Sequence, residues 1–397
     1  MISVDDALTL LDAHRISPGS ERVALDEALG RTLAKEITAR VTLPPYAASA
    51  MDGYAVRFGD VGGVGDEFTV IGEAPAGHVF EGNVGRGEAV RIFTGGRVPD
   101  GADHIIIQEN ADRSGNSIRL TEAEEARRGP RHIRKAAVDF AQGDTLLSAG
   151  SVLGPGEVAT AAAGDHADVE VMKEPRVAIL ANGDELRMPG SSPETGDIVA
   201  SNYFGLGALV ARWGGVPVNI GIAKDSVDAI CERIVAAGDA DVIVPVGGAS
   251  VGDHDHMFAA FEKMGAKPLF RKIAVKPGKP TWLGKMGRQY VLGLPGNPSS
   301  AYVCAQIFLR TLLLGRHGLQ WQTVRLAQDV PACGGRETFL RGCTQAMADS
   351  VTGLEILERQ DSSLITPFLK ADCLLRRPAH GLPIAAGQNV SVLKLTR

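Results

Sequence analysis

Two glycine-rich turns carry the most specific chemistry in this chain. The segment Gly247-Gly248-Ala249-Ser250-Val251-Gly252-Asp253 follows a predicted strand, Asp241–Val246, and precedes a helical pattern. Glycines there leave backbone N–H groups free to face an anion, and the following helix start adds a positive dipole. Ser250 can donate to a phosphate oxygen. A ligand-free strand–helix turn would read the same way. Leu294-Pro295-Gly296-Asn297-Pro298-Ser299-Ser300 is a second turn of this kind. Asn297 suits the cap and Pro298 the first helical position, so the two serines stand beside free donors. Either turn alone fits ordinary capping. Two on the strand ends of one sheet point to an anion site.

Lys272, Lys276 and Lys279 lie within Arg271–Arg288, a window with six basic residues and no acidic one. Pro277-Gly278 and Pro280 hold its backbone in turns. Fixed ammonium groups near anion-ready turns suit a phosphorylated small ligand, whereas a solvated basic loop needs no such backbone. Carboxylates follow the other strands: Asp184-Glu185 after Arg176–Leu180, Asp225 after Val218–Ala223, and Asp255 past the glycine-rich loop. Carboxylates among phosphates suggest Mg²⁺. The Asp253-His254-Asp255-His256 run could bind a transition metal or be a polar helix start. Asp225 could equally be a helix cap. Upstream, Ser49–Val56 and the Phe93–Gly96 and Val98–Asp103 segments read only as polar turns between strands.

The elements that must position these residues are legible from period and punctuation. Strands at 176–180, 218–223, 241–246 and 289–294 alternate with helices at Asn202–Trp213, Asp225–Ala237, Phe258–Met264 and Pro298–Leu314. Alternation of this kind means βαβ units and a mostly parallel sheet, whose ligands bind beyond the strand carboxyl ends. Asn202 and Asp225 are the expected caps of the first two helices. A first helix is expected after Ser3, with Asp6 in its opening turn and Ala7, Leu8, Leu10 and Leu11 on its apolar face. Residues 41–135 are rich in short apolar runs and glycine turns, so they read as β-rich, with Glu122–Arg128 a solvated loop or edge. Residues 321–397 read as a small β-barrel or sandwich.

Composition excludes several classes. The chain has 397 residues, of which 48 are glycine, against an ordinary share of about 7%. The formal charge of −6 gives no nucleic-acid footprint. No apolar stretch reaches membrane-spanning length, and the acidic start has no signal pattern. A cytoplasmic protein with no membrane partner is expected. Five scattered cysteines without a Cys-x-x-Cys suggest buried thiols.

Six motifs in order resemble the molybdopterin molybdenumtransferase (MoeA) family, related to the gephyrin E domain. They are Ser49–Arg57 (SAMDGYAVR), Thr94–Asp103 (TGGRVPDGAD), Gly183–Leu186 (GDEL), Gly247–Asp253 (GGASVGD), Lys276–Pro280 (KPGKP) and Leu294–Pro298 (LPGNP). The resemblance implies a four-part, elongated protomer: 1–40 with 136–173, then 41–135, 174–320 and 321–397. It implies insertion of molybdenum from molybdate into adenylylated molybdopterin, with release of AMP and help from Mg²⁺. It implies a homodimer whose site is shared between protomers, with molybdopterin adenylyltransferase and molybdoenzymes or cofactor carriers as transient partners. By resemblance, Asp52, Thr94, Glu185, Asp225 and Asp255 are catalytic, and Asp52, Asp139, Glu185, Asp225 and Asp255 are the metal candidates. Substrate binding would fall to Gly247, Gly248, Ser250, Gly252, Lys272, Lys276, Lys279, Pro295, Gly296, Asn297, Pro298, Ser299, Arg341 and Ser362. Three positions depart from the family pattern. Ala181-Asn182 stand for the usual Ser-Thr, Val246 for a Ser or Thr, and Ala137-Val138-Asp139 for Gly-x-Asp. The alternatives are a molybdopterin adenylyltransferase, which would resemble the βαβ part alone, and a non-enzymatic scaffold.

Overall fold

The computed structural model describes residues 1–122, 129–247, 256–346 and 352–396. The chain forms two compact units, one of Met1–Gly19 with Lys173–Arg397 and one of Ser20–Met172. Of the charged stretch expected as a loop or edge, residues 123–128 lie outside the described residues.

The Ser20–Met172 unit contains a six-stranded sheet in the order His104–Ile107, Gly53–Val56, Glu88–Ile92, Glu67–Ala74, Ser117–Leu120, Ala111–Ser114. Gly53-Tyr54-Ala55-Val56 is buried along its whole length. Its side chains alternate, with Tyr54 and Val56 entering one apolar cluster and Ala55 another. Gly53 is required there: a Cβ would lie 2.0 Å from the carbonyl oxygen of Ile106. An antiparallel ribbon of Ser20–Ala24 with Asp168–Met172 and the helix Pro155–Ala163 enclose a further core around Leu33, Leu153 and Val171.

In the other unit a mixed sheet runs Val216–Ala223, Arg176–Asn182, Val242–Val246, Gln289–Gly293, Trp282–Met286, Lys267–Phe270. The first four strands are parallel and the last two antiparallel. Residues 177–182 and 242–246 are buried without a break, as expected of strands covered on both faces. Val177, Ile179, Val242 and Val244 pack with the helices Ser201–Arg212 and Pro298–Cys304. Ala178, Leu180 and Ile243 pack with Val227–Ala236 and His256–Lys263. The first helix, Val4–Ala13, is capped by Ser3, whose hydroxyl accepts the Asp6 N–H, and it buries Val4, Ala7, Leu8 and Leu11.

Three local expectations need correction. Asn202 is not a cap: the helix starts at Ser201 behind Ala200, and the Asn202 amide donates to the Gly296 carbonyl at 2.7 Å. Asp225 is not a cap either, because Ser226 takes that position and accepts the Ala229 N–H. The long helix is α over Pro298–Cys304, π over Ala305–Leu309 and α over Arg310–Leu314. Asn297 stands before it without a side-chain capping bond. In each case a tertiary partner offers the side chain a better hydrogen bond than its own helix end.

The C-terminal strands Trp321–Leu326, Glu337–Ala346, Thr352–Ile356, Cys373–Arg377 and Asn389–Lys394 close on themselves. Closure pairs every edge, and Leu326, Leu354, Leu375 and Val392 fill the interior. The short strand Val275–Lys276 joins this barrel beside Glu337–Thr338. The basic segment is thereby tied to the barrel. No helix among the described residues is long and apolar enough to cross a membrane, and all five cysteines are free thiols.

Candidate active site

A cavity of about 610 Å³ opens where the parallel strands end, lined by Asn182, Glu185, Asn202, Gly247 and 295–298. Backbone makes most of its wall. Gly247 sits at φ +97, and a Cβ there would lie 2.6 Å from the Asn182 carbonyl oxygen. A Cβ on Gly296 would come within 3.2 Å of the Gly247 Cα. The two glycine turns therefore meet backbone to backbone, as only glycine allows. The Asn202 bond to the Gly296 carbonyl fixes the second turn. The Glu185 carboxylate folds over Gly183, where a Cβ would be 2.6 Å from Oε2.

Beneath this wall the Asn182 amide donates to Asp225 Oδ1 at 3.2 Å. The Asp225 N–H donates to Asp184 Oδ1 at 3.1 Å, and His256 Nδ1 donates to the Asp225 carbonyl at 2.8 Å. Asp225 is thus held from both sides at its strand end.

A second cavity, of about 480 Å³, is lined by 276–280, Ser300, Arg336, Thr338, Asp361 and Ser362. Pro280 belongs to both cavities, while Ser362 faces this one and Ser363 the first. Gly278 has φ +114, and a Cβ there would lie 2.1 Å from Cys304 Sγ. The Thr281 hydroxyl closes the turn onto the Gly278 carbonyl at 2.8 Å. Burial pushes the Cys304 thiol up to about 12, so it stays neutral and serves as packing. Lys276 and Lys279 therefore project from a turn locked against the π segment.

Arg341 lines neither cavity. It is 2% exposed, and its guanidinium donates to Ser299 Oγ, Gln360 Oε1 and the carbonyls of Arg359 and Asp361. Burial draws its pKa down, and the nearby Asp361 carboxylate draws it part of the way back. Its observed role is to hold the 359–364 loop. That loop presents Ser362, whose hydroxyl accepts from the Asn297 amide at 3.1 Å and whose carbonyl accepts from the Ser299 N–H at 2.9 Å. Lys272 lines neither cavity; its carbonyl accepts the Ile2 N–H.

Asp52, Thr94 and Asp139 belong to the Ser20–Met172 unit. Asp52 Oδ1 accepts both the N–H and the hydroxyl of Thr94, at 2.7 and 2.9 Å. These bonds, the backbone one first, hold its carboxyl below the ordinary aspartate value, with Arg91 adding a favourable charge. Asp139 lines an open cavity of about 660 Å³ with Asp144 and Thr160. Ala137 has φ +59, which explains why glycine suits that position: alanine there costs about 1–2 kcal/mol.

Gly248, Ser250, Gly252 and Asp255 lie outside the described residues. Among the described residues no group of three or more His, Cys, Asp or Glu side chains is gathered for a metal. Arg336 and Asn202 are site residues that sequence reasoning missed. Arg336 lies beyond the basic window, and Asn202 has the look of a cap.

Family profiles cover the chain in three consecutive blocks. Residues 2–164 match the MoeA N-terminal region (domain I and II). Residues 178–315 match the "Probable molybdopterin binding domain", and 323–395 the MoeA C-terminal region (domain IV). The molybdopterin molybdenumtransferase of Nostoc sp. is 32% identical over 95% of this chain and 89% of its own. The chain belongs to the molybdopterin molybdenumtransferase family. The Haemophilus influenzae member is 30% identical over 99% of this chain and 98% of its own. The molybdopterin biosynthesis MoeA protein from Pyrococcus horikoshii has the same fold, at TM-score 0.85 and 28% identity over the whole of both chains. Against the molybdenumtransferase pattern, the departures at 181 and 246 stand side by side, because Ala181 and Val246 are strand partners.

Proposed function

We infer that this chain inserts molybdenum into molybdopterin, taking molybdate and adenylylated molybdopterin and releasing AMP. The observation that carries the reading is the pair of cavities joined at Pro280. The first, walled by glycine backbone and neutral side chains at the strand ends, suits a flat heterocycle with a phosphate at the Pro298 helix start. The second, with Lys276, Lys279 and Arg336, suits a small oxyanion such as molybdate.

The chain's own residues bind and orient. The turn N–H groups and the Ser299 side of the helix start neutralise phosphate charge. Lys276 and Lys279 hold the oxyanion beside the pterin. Glu185 and Asp225 offer hard oxygen ligands of the type Mg²⁺ takes together with substrate phosphates, and such an ion would offset phosphate charge there. Two carboxylates complete no site by themselves, so the ion would arrive with the substrate. Asp52 enters from a second copy in this reading, preset by Thr94 as an ionised acceptor.

The test is AMP release from adenylylated molybdopterin with the full chain. Release that depends on molybdate is expected. Release indifferent to molybdate, or none from intact substrate, overturns the reading. For the shared site, a mixture of Asp52→Ala and Asp225→Ala chains should regain activity that neither has alone, and no recovery excludes sharing.

A further inference from the structure

We propose that Asn182 reads the pterin ring, its Oδ1 accepting a hydrogen bond from a ring N–H of the bound heterocycle. The inference rests on the reading that the strand-end cavity takes molybdopterin. Asn182 is the last residue of the central strand Arg176–Asn182, lines that cavity and is 5% exposed. Its amide nitrogen is committed to Asp225 Oδ1. A carboxylate only accepts, so the amide cannot turn round without setting oxygen against oxygen. That commitment fixes where Oδ1 goes, and Oδ1 is buried with no hydrogen-bond partner.

A buried acceptor left unpaired is unfavourable, and native structures seldom keep one without a use. The neighbouring side chains cannot supply a donor. Ala181 and its strand partner Val246 are both apolar, and the Asn202 amide is taken by the Gly296 carbonyl. The chemistry of the missing partner follows. A neutral oxygen acceptor repels phosphate and molybdate oxygens and attracts an N–H. A pterin ring has N–H donors on its edge, whereas an oxyanion has none. Asn182 therefore selects the heterocycle, while the lysine cavity selects the oxyanion.

The experiment titrates the full chain with molybdopterin and, separately, with molybdate. Asn182→Leu keeps the volume and removes the acceptor. It should weaken molybdopterin binding about tenfold or more and leave molybdate affinity within about twofold of the parent. Asn182→Thr, which restores an oxygen, should recover part of the loss. Unchanged molybdopterin affinity in Asn182→Leu overturns the proposal. So does an equal loss for both ligands with a lowered melting temperature, since that is the mark of a structural role. A parent chain that binds no molybdopterin overturns the cavity reading, and this inference with it.

Discussion

The two adjoining cavities share one proline and almost nothing else. The strand-end cavity is made of close-packed backbone, with Gly247 and Gly296 in contact and a neutral amide beneath. The lysine cavity is made of long cations on a locked turn, with Arg336 opposite and Asp361 at its rim. The first recognises by shape and hydrogen bonding, the second by charge. Shape depends on atoms that cannot move, and charge acts across solvent and is screened by salt. Substitutions should therefore separate the two functions.

The largest effect is expected at the turn beneath the lysines. Gly278→Ala combines a left-handed backbone with a clash at Cys304 Sγ and should cost about 3 kcal/mol of stability, read as a lowered denaturant midpoint. An unchanged midpoint would show that the turn is not locked. Next, Lys276→Met or Lys279→Met should weaken molybdate binding about tenfold to a hundredfold, flatten its salt dependence and spare molybdopterin. Equal losses for both ligands would merge the two cavities into one site. Gly296→Ala should do the reverse, weakening molybdopterin about tenfold with molybdate binding intact. A smaller gain is expected outside both cavities: Ala137→Gly relieves the φ +59 backbone and should raise stability by about 0.5–1 kcal/mol.

The smallest effect concerns acidity. Asp52 is held below the ordinary aspartate value by Thr94. Its contribution to stability is fully present above the unfolded value and is lost as pH falls through the lower folded one. Thr94→Val removes the hydroxyl bond and keeps the backbone bond, so the Asp52 titration, followed by NMR, should move upward. A titration that stays in place would mean that the backbone bond suffices.

Much of the fold was legible. Continuous apolar runs at 177–182 and 242–246, each followed by a glycine turn, announce buried parallel strands, and Ser3 announces the first helix. The caps were not legible, because Asn202 and Asp225 have good local capping chemistry and lose it to distant partners, Gly296 and Asn182. Among the basic residues, spacing alone did not separate Lys276 and Lys279, which line a cavity, from Lys272, which does not. The register of Val275–Lys276 on the barrel makes that distinction. Arg341 has the type of an anion ligand, and its burial turns it into the clamp of a loop.

The sequence by itself determined the βαβ alternation, the two glycine turns, the locked basic segment and the family. These are local: period, punctuation and motif lie within a few residues of one another. The tertiary structure alone decided which strand ends are neighbours, that Pro280 joins two cavities, that Arg336 faces the lysines, and that Asn182 holds Asp225 with one atom and leaves the other unpaired. Those facts join residues tens of positions apart, and only close packing, which fixes each side chain's hydrogen-bond partners, can bring them together.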